Sequence, residues 1–299
     1  MKTIAELIEK ARSSGRKRIA VAAAQEASAL EAAVDAWMNG LAEPILVGDL
    51  LAIDALGREL GLDLSRFERI DAKTPAQAAA EAVRLVRSGD ADVLMKGIVD
   101  TSVLLKAALN KETGIHGGCL VSHVAVMEVA SYHKLLFVTD AAINIAPDVA
   151  AKLDIIGNAV RAAKALGVEV PKVALLAAVE KVNYDKMPAT VDAAVIAQMA
   201  RRGQIHGCVV DGPLALDNAV SAESAELKRI ASEVAGDADI LVAPDIEAGN
   251  ILYKCLLDLG GAKGAGIVMG AASPIVLTSR ADSAETKLAS IAFAALASR

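Results

Sequence analysis

The sequence predicts an α/β protein built on mostly parallel sheets. Two observations carry this. Short continuous apolar runs recur along the chain, as suits strands buried on both faces. Longer segments with helical spacing stand between them, so strand and helix alternate and the paired strands run parallel. Taken in order, strands are expected at 18–22, 45–48, 93–96, 135–139, 172–177, 207–211, 240–243 and 266–269. Val149, Leu153, Ile156, Val160 and Ala163 fall on one helical face, and so do Ala284, Leu288, Ile291 and Ala295. The charge-poor stretch 139–147 and the glycine-rich stretch 260–266 mark the expected crossings between domains.

Composition excludes several classes. At 299 residues, 54% hydrophobic and 23% charged, the chain has material for one large core or two smaller ones. It is too apolar and too weakly charged for disorder. Lys+Arg 31 against Asp+Glu 37 leaves a net charge of −6, which argues against nonspecific nucleic-acid binding. Trp 1, Tyr 3 and Phe 3 are too few for a base-stacking platform. No apolar run approaches the roughly 20 residues of a membrane span. Charges sit near the N-terminus where a secretory apolar region would lie, so a cytoplasmic protein is expected. Cys119, Cys208 and Cys255 are odd in number and widely spaced. They form no disulfide framework, and Cys119 and Cys255 are expected to be small buried residues.

In open α/β sheets, ligands bind beyond the carboxyl ends of strands. Polar or glycine residues just after the apolar runs are therefore the candidates. They are Lys96-Gly97, Thr139-Asp140 with Asn144, Asp211-Gly212-Pro213, Pro244-Asp245 with Gly249-Asn250, and Thr278-Ser279-Arg280. The phosphate-loop, dinucleotide, zinc-helix and nucleophile-elbow signatures are missing, and no carboxylate cluster is dense enough for a metal.

Thr278-Ser279-Arg280 is the sharpest group. It follows an apolar run and precedes a helix. Guanidinium binds phosphate bidentately, and a helix amino end adds partial positive charge. Asp282 and Glu285, three apart, read as an acidic capping box, so these residues also have an ordinary capping explanation. His116, His123 and His133 have no ligand spacing and read best as hydrogen-bonded structural histidines.

Together these groups resemble one family. The stretch Lys96-Gly97-Ile98-Val99-Asp100-Thr101 and Val121-Ser122-His123 belong to the pattern, as does Thr139-Asp140 through Asn144 to Pro147. So do Asp211-Gly212-Pro213, Glu247-Ala248-Gly249-Asn250 and Leu277-Thr278-Ser279-Arg280-Ala281-Asp282. In this order they are similar to the phosphate acetyl/butyryltransferases. Lys96 to Leu104, Met187 to Ala194 and Asp211 to Ala219 lean toward the butyryl branch.

The resemblance implies two α/β domains with mostly parallel sheets and a cleft between them, as in the isocitrate/isopropylmalate dehydrogenase-like fold. The first domain would comprise 1–138 and 265–299, and the second, inserted one 139–264. It implies acyl-CoA + phosphate ⇌ acyl phosphate + CoA, by direct transfer in a ternary complex. No cofactor is bound obligatorily, CoA being a substrate, and homodimers or higher homo-oligomers are usual.

Ser279 would contact the thiol or oxyanion, and Arg280 would hold phosphate. Lys96, Lys106, Ser122, His123, Thr139, Asp140, Asn144, Asp211 and Asn250 would line the substrates. Lys106 stands where the acetyl branch has an arginine. Thr286 stands where that branch has an aspartate base, which passes the role to Glu285 or to Asp282. Two other readings keep the fold. One is a metal- and NAD-dependent decarboxylating dehydrogenase, whose clustered arginines and aspartates are not found. The other is a CoA- or acyl-phosphate-binding module without turnover.

Overall fold

The computed structural model describes residues 1–277 and 282–298. In chain order its strands are β1 (Lys17–Ala22), β2 (Ala42–Gly48), β3 (Glu68–Asp71), β4 (Val93–Lys96), β5 (Ser122–Glu128), β6 (Leu136–Thr139), β7 (Lys172–Leu176), β8 (Val209–Leu214), β9 (Ile240–Val242), β10 (Lys263–Met269) and β11 (Ile275–Val276). The helices are α1 (Ile4–Ser13), α2 (Ala27–Met38), α3 (Leu50–Glu59), α4 (Pro75–Ser88), α5 (Thr101–Ala108), α6 (Val149–Ala165), α7 (Pro188–Arg201), α8 (Leu216–Val220), α9 (Ala222–Leu227), α10 (Ile246–Lys254) and α11 (Ala284–Ala297). A π-helical turn, Cys255–Leu259, continues α10.

Contacts divide the chain into two units, Ile4–Cys119 with Ala265–Arg299, and Leu120–Gly264 with Met1–Thr3. In the first unit the strand order is β3-β2-β1-β4-β11-β10. All neighbours there are parallel except β10, which runs antiparallel to β11. In the second unit the order is β5-β6-β9-β7-β8. Only β5 is antiparallel to its neighbour there. The sequence reading puts the first crossing at 139, whereas the units change over at Leu120. The paired strands β5 and β6 fall together in the second unit, where the sequence reading puts them in the first.

The cores are aliphatic. Ile19, Ala20, Val21 and Ala22 of β1 are all buried, as are Val93, Leu94 and Met95 of β4. Helix α4 packs on β1 and β2, and α11 packs on α1 and α2. Local signals set the ends of α4. Thr74 and Gln77 form a capping box, Pro75 fills the first turn, and Gly89 closes the helix at φ +81°. Helix α6 packs on β5, β6 and β9. It buries Ile156, Val160 and Ala163 of the face its spacing predicts, together with Lys152, Ile155, Asn158, Ala159 and Ala162, so the buried stripe is wider than expected, while Val149 and Leu153 are only partly buried. Among the described residues, no helix is long and apolar enough to cross a membrane.

Charge concentrates at the amino edge of the second unit's parallel strands. Lys134 pairs with Asp237 and Asp239, and Lys172 with Asp237. Burial pushes the Asp237 carboxyl up, but bonds from Lys172 and Lys134 outweigh it and hold the group well below the usual carboxylate range. Burial pushes the Tyr132 hydroxyl well above its ordinary value, reinforced by Asp237 and Asp239, and it donates to the Ala238 carbonyl. This cluster is scaffold, at the end of the strands opposite to the candidate ligand residues.

Candidate functional site

The carboxyl ends of the strands carry different kinds of residue in the two units. In the second unit, β6 ends at Thr139 opposite Val242 of β9. Thr139 is fully buried, and its hydroxyl donates to the His123 carbonyl at 2.7 Å. Asp140 follows, 3% exposed. Its carboxylate accepts from the backbone N–H groups of Ala142, Ile143 and Asn144 at 2.9, 3.0 and 3.1 Å. It also accepts from the Asn144 side chain at 2.6 Å. Asn144 in turn donates to the Val121 carbonyl at 2.9 Å, and Asn250 to the Ala141 carbonyl at 2.9 Å.

Helix α10 closes on this turn because residue 249 is glycine. A Cβ there would lie 2.2 Å from the Asp140 carbonyl oxygen. Asp245 caps the same helix through the Ala248 N–H at 2.9 Å. Ser122, fully buried, accepts from Asn158, which also holds the Leu120 carbonyl. The His123 ring meets Tyr253 edge-on at 5.7 Å.

Thr139, Asp140, Asn144 and Asn250 are thus brought together with the backbone beside Ser122 and His123. Their polar groups bind the chain itself and fix the shape of the strand exits. Replacing Asp140 with alanine strands these donors in a buried place. The expected loss is at least about 3 kcal/mol of unfolding free energy. Urea unfolding checks this, and a loss below about 1 kcal/mol would show that the donors find other partners.

Asp211 is apart from this group. The sequence reading ends the strand there, but β8 runs on to Leu214 with an irregularity against β7. Asp211 therefore lies within a strand, 3.6 Å from the Arg201 guanidinium.

In the first unit, Ala22 of β1 pairs with Lys96 of β4, and Met95 of β4 pairs with Val276 of β11. The carboxyl ends of three parallel strands therefore lie side by side. Lys96 is half-buried, and its ammonium donates to the Gly97 carbonyl at 3.2 Å. Gly97 is required, because a Cβ there would lie 2.2 Å from the Ala23 carbonyl oxygen. Lys106 is elsewhere, exposed in the last turn of α5, on a groove of about 630 Å³ that α4 and α5 share with Arg84 and Arg87.

Ser279 and Arg280 lie outside the described residues. The chain is described again from Asp282. Ser283, not Asp282, caps α11, its hydroxyl accepting the Thr286 N–H at 3.1 Å. The expected Asp282/Glu285 capping box is therefore corrected. The helix begins at Ala284, one residue later than that box requires, so Thr286 takes the third position and its hydroxyl lies 3.0 Å from Ser283 Oγ. Glu285 stands exposed in the first turn, rotated about 100° from Thr286.

The cysteines differ among themselves. Cys119 donates to the Gly270 carbonyl, and burial pushes the Cys208 thiol up. Cys255 is exposed on the π-helical turn, against the expectation of burial. His116 accepts from the Gly118 N–H, and His133 lies 2.9 Å from Asp237. Among the described residues there is no His, Cys, Asp and Glu cluster able to hold a metal ion.

Two buried lysines escape the sequence reading. Lys152 of α6 bonds Asp192 at 2.7 Å and the Pro147 carbonyl at 2.8 Å. Lys287 of α11 is also buried. Helical phase was the available signal, since Lys287 stands one turn before Ile291 on the buried stripe.

Comparison with known proteins adds independent findings. The chain matches the profile of the Phosphate acetyl/butaryl transferase family over residues 2–84 and 76–295. It is 49% identical over 296 residues to a phosphate butyryltransferase of Clostridium acetobutylicum, covering 99% of this chain and 98% of that one. It is 45% identical over 291 residues to a phosphate acetyltransferase of Thermotoga maritima, covering 97% and 98%. The crystal structure of a branched-chain phosphotransacylase from Enterococcus faecalis V583 superposes with a TM-score of 0.82 at 37% identity, covering 94% of this chain and 98% of that one. The chain therefore belongs to the phosphate acetyl/butyryltransferase family of acyltransferases.

Proposed function

We propose that this protein catalyses acyl-CoA + phosphate ⇌ acyl phosphate + CoA, with butyryl or a close branched chain preferred to acetyl. The carrying observation is the full-length match to phosphate butyryltransferases, 49% identical in the Clostridium acetobutylicum case. CoA is a substrate here, and no bound cofactor is required. The reading extends to a cytoplasmic homodimer or higher homo-oligomer.

Transfer is direct, in a ternary complex. Its main demands are positioning two anionic substrates and stabilising a developing oxyanion. Ser279 contacts the thiol or oxyanion, and Arg280 holds phosphate by its bidentate fork. A free thiol has a pKa of about 8.5, so attack of CoA on an acyl phosphate gains from a base. Glu285 is proposed for that role, with Asp282 as the alternative. Lys96, beside the strand that leads to Ser279, adds positive charge for the phosphate side. The Thr139–Asp140–Asn144–Asn250 turn shapes the wall on which substrate rests.

The test is phosphate-dependent thioester cleavage across acetyl-, propionyl-, butyryl-, isobutyryl- and valeryl-CoA, without added metal or NAD. Butyryl- or isobutyryl-CoA is expected to give the highest kcat/KM. One methylene in an apolar pocket is worth about 1–3 kcal/mol, so the preference over acetyl-CoA should be at least about tenfold. A preference for acetyl-CoA would overturn the chain-length reading and leave the reaction standing. Absence of phosphate-dependent cleavage would overturn the reaction itself.

A further inference from the structure

Helix α10 and the π-helical turn after it have two faces of unexpected likeness. The inner face carries Leu252, Tyr253, Leu256 and Leu257, which pack around Ala125, Met127 and Val138 of the second unit. The outer face of such a surface helix should then be polar. It is not. Ile251 is 68% exposed, Leu259 is 85% exposed, and Cys255 between them is exposed too. Exposed apolar residues scattered singly are ordinary, but a line of them along one helix marks a contact surface.

The π turn straightens that line. In an α-helix a step of four residues overshoots one full turn by about 40°, so 251, 255 and 259 would drift around the axis. From Cys255 the chain is bonded five residues apart, with the Gly260 N–H donating to the Cys255 carbonyl at 2.9 Å. That wider turn reduces the drift. The charges beside the line have a symmetry of their own. Lys254 and Asp258 are exposed on the same flank, four residues apart, with no ion-pair partner among the described residues.

We propose that this outer face is the contact by which two copies of the chain pair, with the helices antiparallel and Cys255 on the two-fold axis. The inference rests on the homo-oligomer reading above and is independent of the reaction. Ile251 and Leu259 each stand four residues from Cys255, so rotation about that axis sets Ile251 opposite the partner's Leu259. The same rotation keeps the charged flanks on one side and brings Lys254 beside the partner's Asp258, and Asp258 beside the partner's Lys254. A symmetric interface demands this self-complementarity, in which residue i meets j and j meets i. The charges of the stripe therefore answer those of its own copy, which is why the occupant is a second copy of this chain.

The test uses the full-length protein at micromolar concentration, with association read by sedimentation and the contact by copper-phenanthroline oxidation. Packed helices bring facing Cα atoms within about 6 Å, inside the reach of a disulfide, so the wild type should cross-link into pairs and Cys255→Ser should not. Ile251→Glu should weaken pairing at least about thirtyfold, as loss of a central interface anchor does. Lys254→Asp and Asp258→Lys each set like charges against like and should each weaken pairing. An equimolar mixture of those two variants should restore it, because an acidic flank then meets a basic one. These positions are exposed, so circular dichroism and Tm should stay near wild type. A monomeric wild type overturns this inference and the homo-oligomer reading together. If the wild type associates and all three variants associate as tightly, the copies meet elsewhere and this inference alone falls. It falls as well if the mixture fails to restore pairing that the single charge variants have lost, or if Cys255 does not cross-link in the associated wild type.

Discussion

Glu285→Gln is expected to lower kcat at least about a hundredfold, with KM for phosphate little changed. A positioned base contributes about 10²–10⁴-fold in rate, and glutamine keeps the shape of glutamate without its basicity. Fold stability should move by less than about 1 kcal/mol. The α11 cap is made by Ser283 with the Thr286 N–H, so the substitution leaves the cap in place. Thr286 is no competitor for the role. A hydroxyl is not ionised at neutral pH, and this one lies 3.0 Å from Ser283 Oγ. Asp282→Asn is the control for the alternative. If both variants keep near-wild-type kcat, neither carboxylate is the base, and the reaction runs on positioning and electrostatics alone.

Arg280→Ala should lower kcat/KM for phosphate roughly ten- to a hundredfold, with acyl-CoA binding less affected. Loss of a charge-assisted bidentate contact is worth about 1.5–3 kcal/mol. Arg280→Lys should recover part of the loss, since the ammonium keeps the charge but not the fork. Strand β11 ends at Val276 opposite Met95, next to Lys96 of β4, and Arg280 itself lies outside the described residues. Steady-state kinetics with phosphate as the varied substrate decides the matter. An alanine variant with wild-type KM for phosphate and wild-type turnover removes Arg280 from the phosphate site.

The alternation of strand and helix was legible because strands such as β4 and β9 are continuous apolar runs buried on both faces. The strands that escaped differ physically. Strand β3, Glu-Arg-Ile-Asp, is a mostly exposed edge, where polar residues guard against pairing with other chains. Strand β5 opens Ser-His and ends in Glu, and it is the antiparallel member of a hairpin, which breaks the parallel-sheet pattern. Strand β11 has only two residues, too few for any period.

At the site, the residues after strand ends were legible as a group, but their work was not. Asp140 and Asn144 bind backbone N–H and carbonyl groups nearby, which spacing alone does not show. Ser283 was passed over as a cap because Asp282 and Glu285 offered the same spacing one residue earlier. Lys287 was hidden by its chemistry, since a charged residue in an amphipathic pattern is assigned to solvent unless its phase is followed along the whole helix.

Gly97 and Gly249 set a limit on how this protein can change. At both positions the main chain of one exit segment touches the main chain of another, and any side chain would collide with a carbonyl oxygen. Those parts of the two units are peptide backbone against peptide backbone. They have no rotamers to repack and no point substitutions that leave them in place. Sequence change near the strand exits is therefore channelled into the side chains around these glycines, and a library of variants gains nothing from varying the two glycines themselves.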